Sequence, residues 1–253
     1  MYLITGGGSG IGQALAWSLA DRGLPVMIVG RRKHLLQETA NYSPLIQYFN
    51  ADVSKSSDLE AIAHQLQHLE SISALINNAG TLEPIATLKE LTLNQWQNFF
   101  HTNLDPAFLL PKLLEPQLAE GRVLNILTGL VHFPVKHMAA YCASKSALSM
   151  LTRCYQLESE TTAFASVIPG IIDTYMQQLL RDNKDMDAKD VNFYNTLKEQ
   201  GRLVSATMVA QFLTWLLLDV DKKTYASKEW DIYDTSHHQA WLKPPNQILH
   251  WDF

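Results

Sequence analysis

The chain has 253 residues, a length that can bury a sizeable core in one or two domains. Apolar residues make up 47% of the sequence and charged residues 18%, a balance that excludes low-complexity disorder. The formal net charge of −5 argues against a dedicated binder of nucleic acids or of anionic membranes, because both usually need a basic face.

Two further features bear on the compartment in which the protein works. Its two cysteines, Cys142 and Cys154, are too few for a disulfide framework and lack the spacing of zinc ligands. No apolar run approaches the roughly 18–20 residues of a membrane span, and no charged-then-apolar leader follows Met1. We therefore expect a soluble cytoplasmic protein without membrane contact and without a metal site.

Short apolar runs alternate with segments of helical length along the chain. The runs lie at residues 2–5, 26–29, 45–49, 74–76, 123–127, 164–168 and 230–233. Strands separated by helices imply crossover connections within a parallel sheet, and continuously apolar strands suit a sheet that is covered on both faces. The pattern predicts one doubly wound α/β domain over 1–253, with a parallel sheet of about seven strands and helices on both faces.

Local signals indicate where some helices begin and where the chain is interrupted. Ser57 and Glu60, like Thr92 and Gln95, have the spacing of a capping box at a helix N-terminus. The charged stretch 181–190 (RDNKDMDAKD) is predicted to be a surface insertion between the sixth strand and the next apolar helix.

A glycine-rich loop at residues 5–12 (TGGGSGIG) follows the first strand at once and leads into a helical pattern. Glycines let the backbone turn sharply and approach a ligand closely. The helix behind them offers free N–H groups and the positive end of its dipole to a pyrophosphate. This strand–loop–helix arrangement predicts a dinucleotide site rather than a plain glycine turn.

The end of the second strand indicates which dinucleotide is bound. Binders of NAD usually place an acid there for the ribose 2′-hydroxyl. Here Arg31 and Arg32 follow Gly30, and a guanidinium suits a 2′-phosphate. The pair predicts NADP(H) as the cofactor, the alternative being two solvated arginines at a helix start.

Tyr141 and Lys145 lie four residues apart, so that on a helix they share one face. A free phenol, with a pKa of roughly 10, is a poor acid–base group at neutral pH, and a nearby ammonium lowers that pKa. Such a pair can move a proton at an oxygen while a hydride moves at the adjoining carbon. The spacing alone is a weak signal and is usually that of an ordinary amphipathic surface.

On these residues the chain resembles the short-chain dehydrogenase/reductase family over nearly its whole length. The family's motifs occur in order at residues 5–12 (TGGGSGIG), 77–80 (NNAG), 141–145 (YCASK) and 169–170 (PG). Within the family the chain is similar to the sepiapterin reductase and benzil reductase branch, in stretches 77–84 (NNAGTLEP), 169–177 (PGIIDTYMQ), 201–205 (GRLVS) and 230–234 (WDIYD). The resemblance implies a Rossmann-type sheet and a segment, about 175–204, that covers the substrate.

The resemblance also implies a cofactor site built from several parts of the chain. Its expected residues are Gly6, Ser9, Gly10, Ile11, Arg31, Arg32, Asp52, Val53, Asn78, Ala79, Gly80, Tyr141, Lys145, Pro169, Gly170, Ile172 and Thr174. Asp52 would meet the adenine, while Ile172 and Thr174 would hold the nicotinamide carboxamide. Plainer interpretations exist: Asp52 as a loop aspartate, Asn78 as part of an Asx turn, and Thr174 as an N-cap.

The expected catalytic residues are Tyr141, Lys145, Thr128 and Asn103. Tyr141 would donate the proton, Lys145 would tune Tyr141 and hold the nicotinamide ribose, and Asn103 would support a proton relay or simply be a buried asparagine. Thr128 departs from the family, which has a serine 13 residues before the tyrosine. Its hydroxyl still donates and accepts hydrogen bonds and would polarise the carbonyl, but its methyl stiffens the side chain and crowds the pocket.

Together these observations predict NADPH-dependent reduction of a carbonyl, with a pterin side chain or an aromatic or vicinal diketone as substrate on the resemblance alone. The alternatives are an NAD(P)-dependent alcohol or sugar dehydrogenase and a catalytically silent nucleotide-binding protein, which Thr128 keeps open. Family members often pair through helices that begin near Thr92 and Met138, so a homodimer or homotetramer is expected. The aromatic tail, about 235–253, would cover the pocket, line a subunit interface or pack on its own domain.

Overall fold

The computed structural model describes residues 1–249 and contains a parallel β-sheet flanked by helices. The strands are β1 (Tyr2–Thr5), β2 (Val26–Gly30), β3 (Ile46–Asn50), β4 (Ala74–Asn77), β5 (Arg122–Ile126), β6 (Ala163–Ile168) and β7 (Glu229–Asp231). Their order is β3-β2-β1-β4-β5-β6-β7, and every neighbouring pair is parallel. The predicted doubly wound sheet of seven strands is thereby confirmed.

The connections between the strands carry the helices. They are α1 (Gly10–Asp21), α2 (Lys33–Ala40), α3 (Ser56–Leu66), α4 (Leu93–Asn103), α5 (Asp105–Leu113), α6 (Glu115–Leu118), α7 (Ala139–Glu158), α8 (Tyr175–Arg181), α9 (Ala188–Glu199), α10 (Ala206–Leu218), α11 (Lys222–Tyr225) and α12 (His238–Trp241), with short 3-10 helices at Gly129–Val131 and Thr235–His237. Across residues 1–249, none of the helices is both long enough and apolar enough to cross a membrane.

One of the two predicted capping boxes is present. Thr92 Oγ1 accepts a hydrogen bond from Gln95 N at 3.2 Å, and Gln95 Oε1 accepts one from Thr92 N at 2.9 Å. The box predicted at Ser57 is wrong, because α3 already begins at Ser56 and its N-cap, Lys55, makes no side-chain capping bond. A capping side chain acts only at the residue before the first helical turn, so a shift in the helix start removes the box.

Both faces of the sheet are buried, which accounts for the continuously apolar strands. Ile4 of β1 packs with α1 and α10 on one side, whereas Leu3 packs with α3 and α5 on the other. Ser18 of α1 and Thr214 of α10 also share a hydrogen bond of 2.8 Å between their hydroxyls. Crossover connections place helices on both faces of a parallel sheet, so successive residues of a strand are both shielded from water.

The direction in which the chain adds strands to the sheet reverses between β1 and β4. From β1 the chain winds outward through β2 and β3, and from β4 it winds the other way to β7. An open α/β sheet binds its ligands in the crevice beyond the carboxyl ends of the strands at such a point. The residues that follow β1, β4, β5 and β6 are therefore brought together at one edge.

The described part of the C-terminal tail packs on the helix α10. The His237 ring stacks on Phe212 with 4.9 Å between the ring centroids, and Trp241 lies 5.0 Å from the same ring. Trp241 Nε1 donates a hydrogen bond of 2.9 Å to His237 Nδ1. This part of the tail thus follows the third interpretation, packing on its own domain, while Trp251 and Phe253 lie outside the described residues.

Candidate active site

A cavity of about 810 Å³ lies along the carboxyl edge of the sheet, within the range of roughly 300–1,000 Å³ that small-molecule sites occupy. All of the expected cofactor-binding residues line it, from Gly6 and Ser9 at the glycine loop to Ile172 and Thr174 after β6. Of the expected catalytic residues, Thr128, Tyr141 and Lys145 line the cavity and Asn103 does not. Within residues 1–249, no three His, Cys, Asp or Glu side chains are grouped as metal ligands would be.

The glycine loop adopts a backbone that other residues would disfavour. Gly6 and Gly10 have positive φ angles of 69° and 56°, in the left-handed region. A Cβ atom on Gly12 would lie 2.4 Å from the carbonyl oxygen of Gly6, so only glycine lets α1 approach the loop so closely. These three positions explain the spacing of the motif.

A network of hydrogen bonds from Thr5 and Asn78 ties the glycine loop to the end of β4. Thr5 Oγ1 accepts hydrogen bonds from the backbone N–H groups of Asn78 and Ala79, both at 3.0 Å. Asn78 Nδ2 donates in return to the carbonyl oxygens of Thr5, at 2.9 Å, and Gly6, at 3.2 Å. Asn78 therefore supports the loop from behind instead of forming a local Asx turn. The sequence analysis missed Thr5 as a site residue, although it heads the glycine motif.

The end of β2 presents two exposed arginines to the cavity. Arg32 Nη2 donates a hydrogen bond of 3.2 Å to Ser9 Oγ in the glycine loop, and Arg31 lines the cavity beside it. Asp52, which follows β3, accepts hydrogen bonds from Ser54 N and Ser54 Oγ at 3.1 and 2.8 Å. Asp52 is thus a loop aspartate that also faces the cavity.

Tyr141 and Lys145 lie in the buried part of α7, with side chains only 7% and 4% exposed. Burial raises the pKa of Tyr141 to about 12 and lowers the pKa of Lys145 to about 8. The net lowering expected for the pKa of Tyr141 is not found, because desolvation of the phenolate is the largest effect and Lys145 is not among the groups that shift this pKa. Lys145 Nζ instead donates a hydrogen bond of 2.7 Å to the carbonyl oxygen of Ile126.

Thr128 occupies the position after β5 at which the family has a serine. Its backbone is extended, and its Oγ1 accepts a hydrogen bond of 3.4 Å from Leu130 N at the start of a short 3-10 helix. The Thr128 hydroxyl lies near the Tyr141 hydroxyl and lowers the pKa of Tyr141, which opposes the effect of burial. The substitution thus keeps a hydroxyl beside the tyrosine.

Asn103, at the end of α4, lies behind the cavity wall. Its Oδ1 accepts a hydrogen bond of 2.8 Å from Thr81 N, and its Nδ2 donates to Thr81 O and to Ser144 Oγ at 3.1 and 3.0 Å. A Cβ atom on Gly80 would lie 3.3 Å from Asn103 Oδ1 and 3.8 Å from Lys145 Nζ, so the asparagine and the lysine are close neighbours. The observed bonds are those of a buried structural asparagine, and its relay role stays a prediction.

The loop after β6 is held from the other side by a tyrosine. Gly170 has a φ angle of 84°, and Ile171 N donates a hydrogen bond of 3.1 Å to Tyr233 Oη. Thr174 occupies the N-cap position of α8 but makes no side-chain capping bond; its hydroxyl lies 3.5 Å from the carbonyl oxygen of Ile172. The sequence analysis named the stretch 230–234 only for its resemblance to the family and did not predict this contact.

The wall opposite the glycine loop is mostly apolar and aromatic. It is formed by the loop after β4, the loop between β5 and α7, and the helices α8 and α9, through Leu82, Leu130, Phe133, Val135, Met138, Tyr175, Met176, Leu180, Phe193 and Tyr194. The segment 175–204, expected to cover the substrate, therefore contributes two helices to this wall. Tyr194 belongs to no motif, and the sequence analysis did not single it out.

Comparison with known proteins places this arrangement in a family. The family described as short chain dehydrogenase matches residues 1–185. The chain belongs to the short-chain dehydrogenase family. A benzil reductase ((S)-benzoin forming) of Bacillus subtilis (strain 168) is 30% identical over 240 residues, which cover 92% of this chain and 98% of that protein. A protein of the same description from Bacillus cereus is 29% identical over 234 residues, covering 85% and 92%.

Solved structures agree with this short-chain dehydrogenase in fold. A short chain dehydrogenase/reductase from Saccharomyces cerevisiae has a TM-score of 0.88 at 24% identity, over 95% of this chain and 98% of that one. A 3-ketoacyl-(acyl-carrier-protein) reductase from Brucella melitensis, complexed with NADH, has a TM-score of 0.77 at 22% identity, over 91% and 95%. As a member of this family the protein is an oxidoreductase of the kind that uses a nicotinamide cofactor. The predicted resemblance to benzil reductases is confirmed, whereas that to sepiapterin reductases stays a prediction.

Proposed function

We propose that this short-chain dehydrogenase is an NADPH-dependent carbonyl reductase acting on an aromatic or vicinal diketone or on the side chain of a pterin. The observation that carries the proposal is the pair of hydroxyls, Thr128 and Tyr141, which lie beside each other in the wall of the cavity. Two adjacent hydroxyls can bind one carbonyl oxygen, one as the proton donor and the other as a polarising donor. The similarity to two benzil reductases favours a diketone.

The cavity fits a dinucleotide with a nicotinamide. The left-handed glycines Gly6 and Gly10 leave the backbone open to a close ligand, and the cavity continues from them past Lys145 to Tyr141. When bound, the reduced nicotinamide supplies the hydride that reduces the carbonyl carbon. We infer that Lys145 holds the ribose of the nicotinamide half, and that the loop with Ile172 orients the carboxamide.

The protonation state of Tyr141 favours reduction over alcohol oxidation. With its pKa raised to about 12 by burial, the side chain is a neutral phenol at pH 7, which is the form that donates a proton. A hydroxyl lowers the pKa of a neighbouring phenol by stabilising the phenolate, and Thr128 has this effect on Tyr141. Thr128 would therefore stabilise the phenolate that remains after Tyr141 has protonated the substrate oxygen.

The choice of NADPH rests on Arg31 and Arg32. Both are exposed, both line the cavity, and Arg32 already contacts Ser9 of the glycine loop. Guanidinium groups bind phosphate through charge-assisted and often bidentate hydrogen bonds. A 2′-phosphate on the adenosine ribose would give these two side chains a partner.

We also infer a cytoplasmic homodimer or homotetramer. Leu93 of α4 and Leu157 of α7 are large apolar side chains exposed on the helices through which the family is expected to pair, and Phe108 of the neighbouring α5 is exposed as well. The free cysteines Cys142 and Cys154 suit a reducing compartment. Light scattering of the purified protein would give the subunit count, and a monomer would contradict this part of the proposal.

The proposed activity is tested by following the loss of reduced nicotinamide absorbance with purified protein. Benzil, quinones and pterins are offered as substrates, each with NADPH and with NADH. We expect turnover of a diketone with NADPH. Tyr141→Phe should lower turnover by at least roughly 10²-fold, because it removes the proton donor, while NADPH affinity changes little. Tyr42→Phe, at an exposed tyrosine outside the cavity, is the matched control and should keep wild-type turnover.

Two results would contradict the proposed activity and favour another function. If NADPH binds but no carbonyl is reduced, the silent nucleotide-binding protein becomes the better description. If alcohols or sugars are oxidised with NAD while carbonyls are not reduced, the protein is a dehydrogenase. Near-normal turnover by Tyr141→Phe would contradict the assignment of the proton donor.

A further inference from the structure

Tyr194 is a second buried tyrosine in the cavity wall, close to Tyr141. It lies in α9, is 7% exposed and packs in one apolar cluster with Tyr141, Met138 and Leu180. The two hydroxyls are near enough that ionisation of Tyr194 would raise the pKa of Tyr141. The cavity therefore has a second polar group beside the one assigned to proton transfer.

The position of Tyr194 is set by contacts that leave its hydroxyl unused. Its backbone carbonyl accepts a hydrogen bond of 3.3 Å from Gln177 Nε2, and its ring meets Phe193 edge-on at 5.3 Å between centroids. In the part of the chain that the structure describes, no group is bonded to the Tyr194 hydroxyl. Buried tyrosine hydroxyls usually have a hydrogen-bond partner, so this one is placed to bind a ligand in the cavity.

The protonation state of Tyr194 and its apolar neighbours indicate which chemical group of a ligand would bind to its hydroxyl. Burial raises the pKa of Tyr194 to about 12, and the carboxylate of Asp190 adds to the effect, so the hydroxyl is protonated at neutral pH. Its neighbours on the wall include Met138, Leu180 and Phe193, which offer a substrate no hydrogen bonds. Among such apolar side chains a hydrogen bond contributes more than in water. The wall thus suits an aromatic molecule with an acceptor oxygen at Tyr194.

We propose that Tyr194 is a specificity-determining residue, which donates a hydrogen bond to the second oxygen of a vicinal dicarbonyl substrate. Tyr141 and Thr128 bind the oxygen of the carbonyl that is reduced, and Tyr194 binds the oxygen on the adjacent carbon. A monoketone of the same shape uses the first pair and leaves Tyr194 without a partner. This inference rests on the proposed carbonyl reductase activity and names its substrate class as the vicinal dicarbonyls.

The test compares benzil with deoxybenzoin, which keeps both rings and one carbonyl but has a methylene in place of the second. We expect Tyr194→Phe to lower kcat/KM for benzil roughly 5–10-fold, the effect of one hydrogen bond, and to leave kcat/KM for deoxybenzoin within about twofold. Comparing variants on each substrate separately removes the difference in intrinsic reactivity between the two ketones. Tyr42→Phe, an exposed tyrosine outside the cavity, should change neither value.

A purely structural role would give a different result. Equal losses on the two ketones would mean that Tyr194 only shapes the wall, and no loss on either would mean that its hydroxyl is idle; both overturn the inference. Thermal melting checks that the variant is folded, which the retained ring favours.

A binding measurement separates this inference from the proposed function. If the wild type reduces neither ketone, the proposed function fails, and dissociation constants for the complex with NADP⁺ decide the inference alone. Tyr194→Phe should then weaken benzil binding roughly 5–10-fold and leave deoxybenzoin binding unchanged. Absence of benzil binding to the wild-type complex would overturn the inference as well.

Discussion

Lys145 Nζ donates a hydrogen bond of 2.7 Å to the carbonyl oxygen of Ile126, the last residue of β5. The lysine is buried, and desolvation of its ammonium lowers its pKa from 10.5 to about 8. The sheet, and not Tyr141, therefore holds the ammonium. Tyr141 and Lys145 both lie in the buried part of α7, but burial, and not an interaction between the two, determines the direction of both pKa shifts.

Replacing Lys145 by Met should stabilise the cofactor-free protein at pH 7. In the unfolded chain Lys145 keeps the ordinary pKa of 10.5. Below about pH 8 the native state contains the buried ammonium, which lowers the free energy of unfolding by roughly 3 kcal/mol. Loss of the bond to Ile126 offsets about 1 kcal/mol of this. We expect a gain of ~2 kcal/mol in the free energy of unfolding, or roughly 4–8 °C in Tm.

The pH dependence of that gain identifies its cause. Between about pH 8 and 10.5 the native state has released the proton of Lys145 while the unfolded state still binds it, so the stability of the wild type rises with pH. The advantage of Lys145→Met should shrink over this window. Lys89→Met, at an exposed lysine outside the cavity, should shift Tm little at any pH. A Tm below that of the wild type at pH 7, or a difference independent of pH, would contradict the argument.

The hydroxyl of Thr128 should be needed for catalysis, and its methyl should not. Thr128→Ser keeps the donor beside Tyr141 and should preserve activity. Thr128→Val keeps the shape and removes the hydroxyl, and loss of one such donor typically lowers kcat by ~10²–10³. Melting and NADPH binding serve as controls, since Val also loses the weak bond from Leu130 N. Equal activity in Thr128→Val and the wild type would show that the hydroxyl is idle.

Arg31 should select the 2′-phosphate. Charge-assisted hydrogen bonds contribute about 1.5–3 kcal/mol, so Arg31→Asp should raise KM for NADPH by roughly 10–100-fold and change KM for NADH little. Lys89→Asp makes the same change of charge outside the cavity and is the matched control. Initial rates with both cofactors at fixed diketone concentration give the values. A wild type that prefers NADH, or equal effects on both cofactors, would defeat the assignment.

Tyr233 should support cofactor binding through the loop after β6. Tyr233→Phe leaves Ile171 N without its acceptor, which costs about 1 kcal/mol, so both NADPH and NADH should bind roughly fivefold more weakly. Tyr225→Phe removes a comparable buried bond, from Tyr225 Oη to Val123 O at 2.9 Å, but lies outside the cavity. It should lower Tm without changing cofactor affinity. Unaltered affinity in Tyr233→Phe would mean that the loop holds its shape without the tyrosine.

The parts of the molecule that could be predicted from the sequence are those whose cause is local. Each strand is a short apolar run in the sequence. The glycine loop can be recognised from the sequence because the left-handed backbone at Gly6 and Gly10 admits few other residues. The capping box at Thr92 depends on residues within one helical turn. The capping box predicted at Ser57 was wrong because the helix begins at Ser56. A shift of a single residue in the helix start changes which side chain can cap it, and sequence patterns locate helix starts less accurately than that.

The sequence by itself determined the strands and the glycine loop, and it predicted which residues line the cavity, with Tyr141 as the proposed acid. Only the tertiary structure decided the direction of its pKa, the role of Asn78 as a support of the glycine loop, and the presence of Tyr194 and Tyr233 in the cavity wall. The physical reason is that desolvation and hydrogen-bond partners depend on which distant elements pack around a side chain. Spacing along the chain records which residues share a face, but not what covers that face.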